Sequence, residues 1–139
     1  MIGVREVLET SVYASDLAAA ERFYGSVLGM EVITRAEGRH VFFRCGRGVF
    51  LVFNPERTLE GGALPPHGAR GAGHMAFAVA EAELDAWRGQ LAEHGVVIET
   101  EVAWPAGGRS LYFRDPAGNS IELGTPALWT LPETTVFDG

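Results

Sequence analysis

The feature that most constrains this chain is an internal repeat of one order of elements, strand-helix-strand-strand-strand, laid out twice on a common frame. In the first half, residues 7–13 suit a strand, and Ser15-Asp16 offers a helix N-cap. Leu17, Ala20, Phe23, Tyr24, Val27 and Leu28 then recur at helical spacing before the stop signal Gly29. Residues 30–34, 40–45 and 49–53 read as three strands, with turns marked by Glu37-Gly38 and Gly46-Arg47-Gly48. The second half repeats this with a strand at 74–80, a helix at 81–94 closed by Gly95, and strands at 96–102, 110–113 and 120–123. Laying Glu9 on His74 also lays Asp16 on Glu81, an offset of 65 residues in both cases. The order predicts an α+β fold of two tandem βαβββ modules, each contributing a curved mixed sheet around a concave site. Within one domain spanning 1–139, module one is expected at about 5–54, a Gly/Pro-rich linker at 55–72, module two at 73–124 and a tail at 125–139.

Composition narrows the chemistry. Hydrophobic residues make up 47% of the 139, enough for a core, and the net charge of −7 argues against nucleic acid or an anionic membrane surface as partner. All 11 basic residues are arginine, which removes lysine Schiff-base chemistry and the lysine of a phosphate-binding loop. Cys45 is the single cysteine, so neither an intrachain disulfide nor a cysteine-rich zinc site is available. Cys45 reads as packing rather than as a nucleophile. No apolar run reaches the ~20 residues that span a bilayer, and Met1 to Glu6 shows no signal-peptide stretch, so a cytoplasmic location is expected.

Period-two alternation then sorts the polar residues by face. Glu9 points with Val7 and Ser11. His74 points with Ala76 and Ala78, opposite Met75, Phe77 and Val79. Glu122 points with Ser120 and Gly124, opposite Ile121 and Leu123. If the apolar faces bury against helices, Glu9, His74 and Glu122 share the other face. Two carboxylates and an imidazole suit a divalent cation; the competing reading is three independent strand residues.

Three motifs carry a resemblance to a known family. The helix with Phe23-Tyr24 that ends in Leu28-Gly29, the stretch Gly73-His74-Met75-Ala76-Phe77, and the run from Tyr112 to Leu123 containing Asp115-Pro116-Ala117-Gly118-Asn119 are similar to the signatures of the vicinal oxygen chelate superfamily. That superfamily holds glyoxalases, thiol transferases, extradiol dioxygenases and bleomycin-binding proteins. The resemblance covers about residues 7–124. It implies a glyoxalase-like fold, usually a homodimer, with His74 and Glu122 as metal ligands and Glu9 where many members carry histidine. A fourth ligand would fall near Phe50, which cannot bind a metal. The metal triad is then Glu9, His74 and Glu122 around Mn²⁺, Fe²⁺, Ni²⁺ or Zn²⁺, with open positions for substrate and Glu122 or Glu9 as catalytic base.

Substrate contacts are expected from Arg109, Ser110, Tyr112 and Arg114 on the seventh strand and from His40 and Phe50 in the first half. His67, in the linker, reads as solvated. The resulting expectation is a metal-dependent enzyme acting on a small oxygen-rich substrate by chelation and proton or group transfer, of lyase/isomerase or thiol-transferase type rather than a dioxygenase. A metal-free protein that sequesters an antibiotic or aromatic ligand in a dimer groove is the alternative, with Phe42, Phe50, Phe53, Trp104 and Trp129 as lining.

Overall fold

In a computed structural model, which describes residues 1–134, the chain forms two compact units, the first ending at Arg70 and the second beginning at Gly71. Each is a βαβββ module with a four-stranded mixed sheet, so the predicted α+β architecture is the observed one. In the first unit, β1 (Glu9–Tyr13) leads into α1 (Leu17–Glu21), and β2 (Val32–Ala36), β3 (His40–Cys45) and β4 (Gly48–Phe53) follow. The sheet order is β1-β4-β3-β2, with β1 and β4 parallel and the other pairs antiparallel. A short helix α2 (Pro55–Thr58) opens the segment expected to be irregular.

The first helix starts where the sequence indicates, because the Asp16 carboxylate accepts from the Ala19 amide at 3.0 Å. It does not continue as one α-helix. Residues Arg22–Val27 widen into a π-helical turn that carries Phe23, Tyr24 and Val27 inward. Tyr24 is fully buried, edge-on to Phe23 at 5.1 Å and to Phe50 at 4.8 Å, with Phe43 also in contact. These rings are the core of the first unit. Strand β1 begins at Glu9 rather than Val7; both Val7 and Leu8 are exposed.

The second unit comprises β5 (His74–Ala78), α3 (Leu84–Glu93) preceded by one 3₁₀ turn (Glu81–Glu83), β6 (Thr100–Ala103), β7 (Arg109–Arg114) and β8 (Ser120–Gly124). Its order is β5-β8-β7-β6, again with the first and last strands parallel. Phe77, Leu84, Leu91, Leu111, Phe113, Ile121 and Leu123 make its core, the apolar parity that the alternation predicts. The tail turns back onto this unit as a 3₁₀ helix at Pro126–Trp129. A methyl group at Gly108 (φ +84°) would lie 2.4 Å from the Leu128 nitrogen, so only glycine permits that approach. The last five residues of the expected tail lie outside the described residues.

The β7–β8 loop, with Asp115 and Asn119 buried, is tied to the start of β5. Asp115 accepts from the amides of Ala117 (2.9 Å) and Asn119 (2.8 Å) and from Asn119 Nδ2 (2.9 Å). Asn119 Oδ1 in turn accepts from the Gly73 amide at 2.8 Å, one residue before His74. Replacing Asn119 with alanine removes the hydrogen bonds to the Gly73 amide and to buried Asp115 and is expected to destabilise the protein by about 1–3 kcal/mol, measured by urea unfolding.

Candidate metal centre

The second unit brings His74, Tyr112, Glu122 and Ser110 onto one face of its sheet. The register explains it. Ala76 pairs with Glu122 and Tyr112 pairs with Glu122 from the other side, while His74 stands one pleat along β5 opposite Ser120. His74 Nε2 lies 3.3 Å from Glu122 Oε1, and the His74 ring stacks with Tyr112 at 6.4 Å and 22°.

The tautomer of His74 follows from its other nitrogen. Nδ1 is 3.0 Å from the Ser120 carbonyl oxygen, which only accepts, so Nδ1 carries the proton. In the neutral ring Nε2 therefore presents a lone pair to a carboxylate oxygen. Two acceptors face each other at that distance, and a cation or a second proton resolves the conflict. Backbone-fixed imidazole beside a carboxylate is a donor set that fits a divalent metal. Among the described residues no three His, Cys, Asp or Glu side chains assemble into a ready metal set.

Glu122 is buried, and its second oxygen is committed. Ser110 Oγ donates to Glu122 Oε2 at 2.5 Å and accepts from Trp104 Nε1 at 2.9 Å. Ser110 is itself fully buried. It therefore does not face a ligand, as its alternation with Tyr112 predicts, but fixes the rotamer of the carboxylate. The alternation is real; the tail covers its end, since a side chain at Gly124 would meet Leu128 at 2.7 Å. Trp104, expected in an aromatic groove, holds Ser110. No sequence signal marks this Trp-Ser-Glu chain, because the tryptophan sits in the β6–β7 connection.

The other predicted contacts separate. Phe50 is fully buried against Tyr24, so it lines no opening. Arg114 is spent on Glu99 at 2.9 Å and on the Gly118 carbonyl at 3.1 Å, a solvated rim pairing. Arg109 is exposed and 3.6 Å from Glu81. Glu9 and His40 both lie in the first unit, where they line one cavity. His67, read as solvated, lines it too: its Nδ1 is 2.7 Å from the Tyr13 hydroxyl and its ring stands edge-on to Phe53 at 4.7 Å. Cys45 is half-buried, and burial pushes its thiol up, away from thiolate reactivity.

The chain belongs to the glyoxalase/bleomycin resistance protein/dioxygenase superfamily, whose family model matches residues 6–123. A solved lactoylglutathione lyase from Agrobacterium tumefaciens is 42% identical, with a TM-score of 0.87 over 91% of this chain and 97% of its own. Among curated proteins, metallothiol transferase FosB of Bacillus licheniformis is 28% identical over 93% of this chain and 79% of its own length. The FosB of Staphylococcus saprophyticus is 26% identical over 90% and 80%. No helix among the described residues is long and apolar enough to cross a membrane.

Tyr112 reports on this site. Its phenol is pushed above the ordinary value, first by partial burial and then by the charge of Glu122 and a hydrogen bond to it. A raised pKa means that the folded state holds the proton longer. The associated stability is complete below the unfolded value near 10 and is lost as pH rises through the folded value. Ultraviolet titration should show the Tyr112 phenol ionising late, and Tyr112→Phe should remove that component and reduce the alkaline loss of stability.

Proposed function

We propose that this chain is a metal-dependent enzyme that acts on a small oxygen-bearing, thiol-derived substrate by proton or group transfer. His74 and Glu122 are its ligands on the second unit, and Glu9 is the third. The observation that carries the reading is the lone pair of His74 Nε2 held 3.3 Å from Glu122 Oε1, with Ser120 and Ser110 fixing the far side of each group. Glu9 is supported by the repeat: it opens β1 as His74 opens β5, and both strands pair in parallel with the last strand of their unit. The relatives support the thiol-derived substrate, since one is named a lactoylglutathione lyase and the other a metallothiol transferase.

A bound divalent cation would supply Lewis-acid polarisation of a substrate oxygen. The protein's own groups then have separate tasks. Ser110 and Trp104 hold the Glu122 carboxylate in one orientation, so its reorganisation cost is met by the fold. Glu122 and Glu9 are the groups able to take a proton from substrate. Tyr112 stays protonated at neutral pH, with its hydroxyl turned to the Glu122 carboxylate. Mn²⁺, Fe²⁺, Ni²⁺ and Zn²⁺ all match one imidazole with carboxylates.

Metal binding is the decisive measurement. At a hundredfold excess over Kd, Mn²⁺, Ni²⁺ or Zn²⁺ should raise the melting temperature of the parent by about 5–10 °C. His74→Ala and Glu122→Gln should lose most of that shift, Glu9→Gln part of it, and Ser110→Ala should weaken metal affinity about 10–100-fold. The metal-loaded parent should turn over lactoylglutathione or transfer a thiol to an electrophile. Identical melting with and without each metal would overturn the reading in favour of a metal-free binding protein. The assembly we propose is a homodimer, supported by exposed Val7, Leu8, Val97 and Trp129. Light scattering should then give twice the chain mass.

A further inference from the structure

The segment that follows β8 returns over the second unit onto ground cleared for it. Thr125 fastens it to β7: its amide donates to the Arg109 carbonyl at 3.0 Å, and its hydroxyl oxygen accepts from the Arg109 amide at 3.0 Å. Thr125 and Pro126 are buried, and Leu128 is half-buried. Two glycines make the seat of that leucine. A Cβ at Gly108 would stand 2.4 Å from the Leu128 nitrogen and 2.9 Å from its Cβ, and one at Gly124 would stand 2.7 Å from Leu128 Cδ2. The same point above Gly124 is 3.3 Å from Glu122 Oε2 and 3.5 Å from Ser110 Oγ. The leucine methyl and the Ser110–Glu122 hydrogen bond therefore border one small space.

Beyond Leu128 the segment is held in an unfavourable shape. Thr130 has φ +57°, a left-handed conformation that a β-branched residue keeps only where its surroundings impose it. Its amide donates to the Ala127 carbonyl at 2.9 Å, and the Leu131 amide reaches back to the Pro126 carbonyl at 3.1 Å. Glu133 then latches the end, its Oε1 accepting from the Glu81 amide at 2.7 Å. The Glu81 carboxylate lies 3.6 Å from Arg109, the residue whose backbone holds the segment's start. Residues 129–134 are exposed, so this is a strap on the surface rather than part of the core.

We propose that Leu128 is a positioning residue of the metal centre, carried by the strap of residues 125–133, which closes over the Ser110–Glu122 hydrogen bond. With the strap closed, water is kept from Glu122 Oε2, Ser110 remains its partner, and Oε1 is held toward His74. With it open, water competes for Oε2 and the carboxylate gains rotamer freedom, which weakens its hold on a cation. The effect on affinity rests on the reading of Glu122 as a metal ligand; the cover itself does not.

Two readouts separate the strap from the metal. In chelator-treated, ¹⁵N-labelled protein, solvent exchange of the Trp104 Nε1 proton reports access to Ser110 Oγ, which accepts it at 2.9 Å. Leu128→Ala and Thr130→Pro should each speed that exchange about tenfold, with circular dichroism unchanged. Proline cannot take φ +57° and lacks the amide that closes the turn. Glu133→Ala should speed it several-fold, and Glu133→Gln, whose amide oxygen still accepts, much less. Calorimetric titration with Zn²⁺ should show Leu128→Ala binding about tenfold more weakly than the parent. Leu128→Met, which keeps an apolar cover, should bind within about twofold of it. Parental exchange in folded Leu128→Ala and Thr130→Pro, or faster exchange at parental Zn²⁺ affinity, would overturn the proposal. A parent that binds no Zn²⁺ overturns the metal reading instead, and the exchange result alone then supports or overturns the cover.

Discussion

Each unit depends on the parallel pairing of its first strand with its last. An antiparallel neighbour can be reached by a tight turn, but a parallel one requires a crossover, and here the helix and two strands lie between. In the second unit that pairing sets His74 against Ser120 and Ala76 against Glu122, residues 46 apart in the chain. The antiparallel β7 then delivers Tyr112 and Ser110 to the same face. Asp115 and Asn119 brace the arrangement by turning the β7–β8 loop and catching the Gly73 amide. The chemistry of the site is thus a consequence of register, and buried Asp115 and Asn119 help to hold that register.

On that frame the two halves have diverged in chemistry. Their common pairing makes Leu51 the counterpart of Glu122, since Leu51 stands opposite Ser11 as Glu122 stands opposite Ala76. The first unit therefore has a carboxylate at the start of its first strand but no acid facing it from its last. Its face carries rings instead, with Arg39 stacked on Phe53 and His40 on Phe42. The second unit places an imidazole and a carboxylate at the matching positions, each hydrogen-bonded on its far side, to Ser120 and to Ser110. Duplication supplied one geometry twice, and side-chain identity made one face polar and the other aromatic.

Much of the fold was legible in the chain. Alternation in β5 and β8 separated His74 and Glu122 from Phe77, Ile121 and Leu123, and the structure keeps that separation, because period two is a property of the extended backbone itself. Helix caps at Asp16 and Gly29, the strand at His40–Cys45 and the duplicated order were equally readable, being set by local rules. The π-helical widening at Arg22–Val27 was not, since it arises from burying Phe23, Tyr24 and Val27 together against a sheet that comes later in the chain.

What the sequence alone determined was which residues share a face and which elements recur. Tertiary structure decided what each of those residues does. Ser110 alternates with Tyr112 as a ligand contact should, yet the returning tail seals it over and converts it into the support of Glu122. Phe50 and His67 exchanged their expected roles, one drawn into the core by Tyr24, the other drawn onto a cavity wall by Tyr13 and Phe53. Periodicity is carried by each residue's own backbone angles, whereas exposure and partnership depend on segments distant in sequence, and only the packed chain brings those together.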